Sequence, residues 1–205
     1  MLLLFIFIYF AAASLGSATR SNPFQLVVHS ENATYDGKAV TTCHQGALIT
    51  SLCISKEAVN LSSTEPFALN SVTASVGFLE FLSPAQASST ETNENSTYFP
   101  MNLQYYPYTN VAMGFFQPHE ANETVNAQQF TFDTNGRLVM SAPIMDDALA
   151  PNWQPAPANS TVNRWYVCDT WAPAPYRTTA IVWGLGRDAP QNPTCQKVDV
   201  VKVSS

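Results

Sequence analysis

Short runs rich in Val, Ile, Thr and aromatic residues recur along this chain, and Pro, Asn, Ser and Gly separate one run from the next. Side chains alternate across a strand, so Phe24, Leu26 and Val28 fall on one face. Further strands are predicted at 47–54, 77–82, 111–116, 130–133, 137–140, 165–170, 178–183 and 198–203. The clearest local signal is FTFDTNGRLVM, at 130–140. Phe130 and Phe132 are expected to face inward, with Thr131 and Asp133 outward and Leu138 returning to the core face. Asn135 and Gly136 both tolerate positive φ and are expected to be the central pair of a type I′ turn. Asp36-Gly37 offers a second turn. Helical periodicity is hard to find in this part of the chain. Roughly nine to twelve short strands at this spacing predict an all-β domain. The expected form is a single compact antiparallel β-barrel, trefoil-like, or a β-sandwich with long loops.

The first residues obey a different rule. Positions 2–13 read LLLFIFIYFAAA, an uninterrupted apolar run of 12. A membrane-spanning helix needs about 20 such residues. A shorter run followed by small residues is the pattern of a secretory signal. Gly16-Ser17-Ala18 supplies the small residues, so cleavage is expected before Thr19, although no Lys or Arg precedes the run. The expected organisation is a signal peptide at 1–18 and one secreted β domain at 19–205. The carboxy end, VDVVKVSS, has no lipid-anchor tail, so no membrane anchor is expected after cleavage.

Composition sharpens this picture. Charged residues make up 12% of the chain and hydrophobic ones 46%, against about 25% charged in ordinary domains. That excludes a coiled coil or a charge-driven disordered chain. The net charge of −6 argues against a nucleic-acid partner. Five Asn-x-Ser/Thr sequons, at Asn32, Asn60, Asn95, Asn122 and Asn159, accompany the export signal and predict N-glycosylation. Four cysteines, Cys43, Cys53, Cys168 and Cys195, are an even number for an oxidising compartment. Of the three possible pairings, Cys43–Cys53 with Cys168–Cys195 closes the short local loops and is the one expected. There is no CxxC, and only His44 neighbours a cysteine, so neither a metal nor a cofactor is expected.

Candidate chemistry is sparse. No nucleophile elbow accompanies the three histidines, His29, His44 and His119, so no catalytic residue is assigned. His29 ends an apolar strand and is read as a surface residue. Asp146-Asp147 is an adjacent acidic pair; a glycosidase would need it to face a second carboxylate such as Glu80, Glu120 or Asp169 across about 5–10 Å. Aromatic residues offer more. Trp165 and Trp183 lie inside apolar strands and are expected in the core. Tyr105, Tyr106, Tyr108 and Trp153 have loop-like surroundings and are the candidates for stacking on a sugar ring. The segments 83–97 and 148–159 are expected to be long surface loops.

The carboxy half runs FTFDTNGRLVM, WYVCD, AIVWGLG and NPTCQKVDVVKV. With the opening F-x-L strand, this layout resembles a group of small, uncharacterised secreted ascomycete proteins and, more distantly, phialide-type cell-wall proteins. The resemblance covers about 24–53 and 130–203. It implies an all-β secreted fungal protein associated with the cell wall, and it supplies no catalytic residue. The expected function is therefore non-enzymatic. It is a structural or interaction role at the cell wall or extracellular surface, with a wall polysaccharide or another extracellular protein as partner. The alternatives are a lectin-like barrel that binds carbohydrate or another small ligand, and a hydrolase with an unrecognised carboxylate site.

Overall fold

The computed structural model describes residues 19–46, 49–55, 67–71, 76–82, 98–105, 109–117, 128–141, 157, 160–171 and 177–203. The expected signal peptide, the loop at 83–97 and, apart from Pro157, the loop at 148–159 lie outside the described residues. Among those described, every regular element is a strand. They are β1 (Thr19–Arg20), β2 (Gln25–His29), β3 (Val40–His44), β4 (Thr50–Ile54) and β5 (Phe67–Ser71). Then come β6 (Gly77–Leu82), β7 (Tyr98–Tyr105), β8 (Val111–Phe116), β9 (Gln129–Phe132) and β10 (Leu138–Ser141). The last are β11 (Thr161–Val162), β12 (Trp165–Trp171), β13 (Arg177–Gly184), β14 (Gln196–Lys197) and β15 (Asp199–Val203). The apolar runs at 77–82 and 111–116 coincide with β6 and β8. The apolar runs gave no warning of β3, β5 and β7, nor of the two-residue strands β1, β11 and β14.

All pairings between these strands are antiparallel, and thirteen of the strands form one curled sheet, a half-barrel. Its path runs β11-β10-β9-β6-β7-β8-β4-β13-β12-β14. The curl depends on strands that change partner along their length. In β7, residues up to Pro100 pair with β6, and Met101 onward pairs with β8. Pro100, which has no N–H to give a ladder, sits at that change. The remaining two strands, β2 and β15, form a ribbon, with Val28 opposite Val200. Isolated bridges join the ribbon to the segments beside β3 and β10, Val27 to Ala39 and Val201 to Arg137.

The core lies between ribbon and sheet. Phe24, Leu26 and Val28 enter it together, as their spacing predicts, with Val198 and Val200 from the other side of the ribbon. Facing them are Phe67, Phe81, Phe116, Phe130, Trp165 and Trp183, all buried. Trp165 and Trp183 meet edge to face at 4.9 Å, and the Trp165 indole N–H donates to the Leu138 carbonyl at 2.7 Å. The two tryptophans read as core are core. A second apolar cluster, with Val111, Met113, Phe115, Ala180 and Val182, covers the outer face of the same strands, so β8 is buried on both faces.

The β9–β10 hairpin has the predicted faces at Phe130 and Leu138, both fully buried, while Phe132 is partly buried against the core. Its turn differs from the type I′ expected. Gly136 N–H donates to the Asp133 carbonyl, and Asp133 N–H donates to the Arg137 carbonyl. The central pair is therefore Thr134-Asn135. Gly136 follows it at φ 74°, the glycine of a three-residue loop with a bulge. The Asp133 carboxylate accepts from the N–H of both Asn135 and Arg137, which favours the turn one residue earlier than the Asn-Gly dipeptide implies.

Candidate functional site

Both expected disulfides are formed. Cys43–Cys53 links neighbouring strands β3 and β4, with Cα atoms 6.0 Å apart. Cys168–Cys195 joins β12 to the residue just before β14, with Cα atoms 4.1 Å apart. Two cystines are compatible with an extracellular protein. Among the described residues, no helix is long and apolar enough to cross a membrane, and no group of three His, Cys, Asp or Glu is placed to hold a metal ion.

Two clefts lie on either side of one loop, residues 30–38, which joins β2 to β3. The loop is held by its own side chains. Asn32 Oδ1 accepts from Thr34 N–H at 2.9 Å, and Asp36 Oδ1 accepts from Ser30 N–H at 3.0 Å. Gly37, at φ 71°, completes the return by donating to the Val28 carbonyl. The expected turn at Asp36-Gly37 is in place.

The first cleft, about 540 Å³, opens between this loop and residues 196–199. Three carboxylates line it, Glu31, Asp36 and Asp199, with His29 and Lys197. His29 is exposed at the end of β2, as read, and lies 3.8 Å from Asp36. Lys197 is exposed as a residue, but its ammonium folds onto the Asn163 carbonyl at 2.8 Å and over the Tyr166 ring. Loss of water around that ammonium pushes its pKa down to about 8, with Arg164 and Arg137 adding to the shift and Asp199 opposing it. Across the cleft, Asn32 Nδ2 donates to Gln196 Oε1 at 2.7 Å.

The second cleft, about 550 Å³, lies between the loop's far side and the strand ends of β3, β4, β12 and β13. Its wall carries the hydroxyls of Thr34, Ser55, Thr178 and Thr179, the Tyr35 ring, and the charges of Lys38, Asp169 and Arg177. Asp169 Oδ1 accepts from the Thr179 hydroxyl at 2.6 Å, and Arg177 stands 3.9 Å from its other oxygen. Asp169 is further fastened through its backbone. Its N–H donates to Thr194 Oγ1, and its carbonyl accepts from Asn192 Nδ2. Trp171, 57% exposed, is paired in register with Arg177, which lines this cleft.

Of the aromatic binding candidates, Tyr105 is described. It ends strand β7 instead of lying in a loop, and it is 63% exposed. Tyr106, Tyr108 and Trp153 lie outside the described residues, as do Asn60, Asn95, Asn122, Asn159, His119, Glu120, Asp146 and Asp147. Tyr105 and Trp171 cannot share a small ligand. Tyr105 pairs with Ala112, which pairs with Trp183, and Trp183 is six residues along β13 from Trp171's partner Arg177. At about 3.3 Å per residue that is about 20 Å. Glu80, a candidate second carboxylate, is buried and bound at both oxygens, by Arg20 Nε at 2.7 Å and Asn70 Nδ2 at 2.9 Å. The reading of single residues missed Trp171. Alternation from Trp165 places it on the core-facing side, and only the end of the core beyond Val167 leaves it exposed.

Fold and clefts together define a class: a disulfide-braced, antiparallel all-β domain with polar clefts at one loop. The chain belongs to a family described as a domain of unknown function (DUF7907), whose pattern matches residues 21–204. No match is found among curated proteins or among solved structures.

Proposed function

We propose that this protein is an exported, disulfide-braced glycoprotein with a non-enzymatic interaction or structural role at the cell wall or extracellular surface, and that it docks its partner at the hydroxyl-rich cleft. One observation carries this reading: both cystines brace that cleft. Cys43 lines it, and Asp169 follows Cys168 directly. A surface held rigid before binding loses little conformational entropy on binding. The export signal and sequons support the extracellular setting, and the likeness to small secreted ascomycete proteins supports a fungal wall.

A second reading is lectin-like binding of a wall polysaccharide, favoured by Trp171. An exposed indole beside hydroxyls and a guanidinium offers a stacking face and hydrogen bonds to a sugar. Secreted protein incubated with insoluble wall polysaccharide tests both readings. Retention that Trp171→Ala and Arg177→Ala each reduce at least tenfold supports the sugar reading. Retention by neither polysaccharide nor intact wall, with the protein recovered free in the medium, rejects the wall role.

A further inference from the structure

The acidic cleft carries a glycosylation sequon in its wall. Asn32 opens the sequon Asn32-Ala33-Thr34 and stands in the cleft wall. Its amide cannot be turned round, because Thr34 N–H donates to it and that position must be the oxygen. Nδ2, the atom to which a glycan attaches, is therefore the one that faces Gln196 across the cleft. Tyr35 N–H and Asp36 N–H both donate to the Asn32 carbonyl, which fixes the residue's backbone as well. Asn32 lines an open cleft of about 540 Å³, which has room for a substituent on Nδ2. That is within the roughly 300–1,000 Å³ of small-ligand sites. The walls present an imidazole, an amide, carboxylates and an ammonium, the groups that pair with sugar hydroxyls and an acetamido group.

We infer that the first N-acetylglucosamine on Asn32 is seated in this cleft and clasps the 30–38 loop to residues 196–199, so that this glycan is part of the folded structure. One N–H remains on Nδ2 after attachment, and the bond formed is the ordinary N-glycosidic one. The inference rests on the reading of the chain as an exported glycoprotein.

The test uses full-length protein secreted from a eukaryotic host. Glycopeptide mass spectrometry first reads occupancy at Asn32. Peptide-N-glycosidase is then applied to native and to denatured protein. Release from Asn32 is expected to be at least tenfold slower in the native protein than from sites outside the cleft, and the difference is expected to vanish on denaturation. Thr34→Ala removes the sequon but keeps the N–H that Asn32 accepts, and Thr34→Ser keeps both. Hydrogen exchange at 29–38 and 196–199 is expected to quicken in Thr34→Ala and stay unchanged in Thr34→Ser. Gln196→Ala, which keeps the sequon, is expected to speed native release. A secreted protein unmodified at Asn32, or one whose Asn32 glycan is released at the same rate native and denatured, overturns the inference. Failure of the chain to be secreted at all overturns instead the reading on which it rests.

Discussion

The two clefts share one loop and have similar volumes, yet they are held open by different means. The hydroxyl-rich cleft stands on β3, β4, β12 and β13, and cystines brace these strands on both sides. The acidic cleft depends on hydrogen bonds between exposed groups, chiefly Asn32 to Gln196 and Ser30 to Asp36. A hydrogen bond contributes about 0.5–1.5 kcal/mol net, and a cystine about 2–4. The first cleft is thus pre-shaped, while the second is the one a bound group can tighten. Rigidity and charge divide the same way. Lys38 and Arg177 exceed Asp169 in the braced cleft, and carboxylates dominate the other.

The largest expected effect breaks the bracing. Replacing Cys168 and Cys195 together by Ala is expected to destabilise by about 2–4 kcal/mol in urea melts. Cys43 and Cys53 close a shorter loop, 10 residues against 27, so their removal is expected to cost less. In the loop-entropy model the difference is about 1 kcal/mol. Equal losses, or the reverse order, would show that the braces act through native packing instead. In the same protein, mild reduction is expected to raise hydrogen exchange beside the hydroxyl-rich cleft before it does so at 29–36.

Next comes the ribbon that carries the acidic cleft. The Gly136 carbonyl accepts from Lys202 N–H, tying the β9–β10 turn to β15. A side chain at Gly136 meets Val201 only at ordinary contact, 3.7 Å, so its cost is backbone strain at positive φ and not a clash. Gly136→Val is expected to destabilise by about 1–3 kcal/mol. Thr131→Ser in the same hairpin is expected to leave the urea midpoint nearly unchanged. If the two variants melt in the opposite order, the hairpin assignment is wrong.

A smaller effect isolates the hydrogen-bonded wall. Gln196→Ala in protein made without glycans is expected to cost at the low end of about 0.5–1.5 kcal/mol, because the bond is exposed. A loss as large as that of a cystine pair would erase the contrast between the clefts.

A separate effect is a pH dependence. Lys197 loses its proton near 8 in the folded protein and near 10.5 when unfolded. Between those values the unfolded chain holds more protons, so this group makes stability rise with pH. Below about 8 the full cost of holding the charged ammonium is present. The difference in stability between wild type and Lys197→Gln, measured from pH 7 to 10.5, is expected to shift in favour of wild type as pH rises. A flat difference would mean that the ammonium stays fully hydrated.

Most of the longer strands, though not β3, β5 and β7, were legible in the sequence, as were the core tryptophans and the cystine pairs, because each depends on near neighbours along the chain. Alternation at Phe24, Leu26 and Val28 reports one buried face. The spacing of the cysteines favours the loops of least closure entropy. Even the hairpin's inward residues follow from a period of two, although its turn was decided by the Asp133 carboxylate. Other features have no local signature. Pro100 marks where β7 changes partner only once β6 and β8 are in place. Trp171 looks like a core residue until the core ends beside it. The acidic cleft joins Asn32 to Gln196, 164 residues away, and the Arg20–Glu80 pair spans 60. Alternation says which way a side chain faces but not which strand lies beside it, so the packing of the ribbon against the sheet, and both clefts with it, had to be settled by tertiary structure.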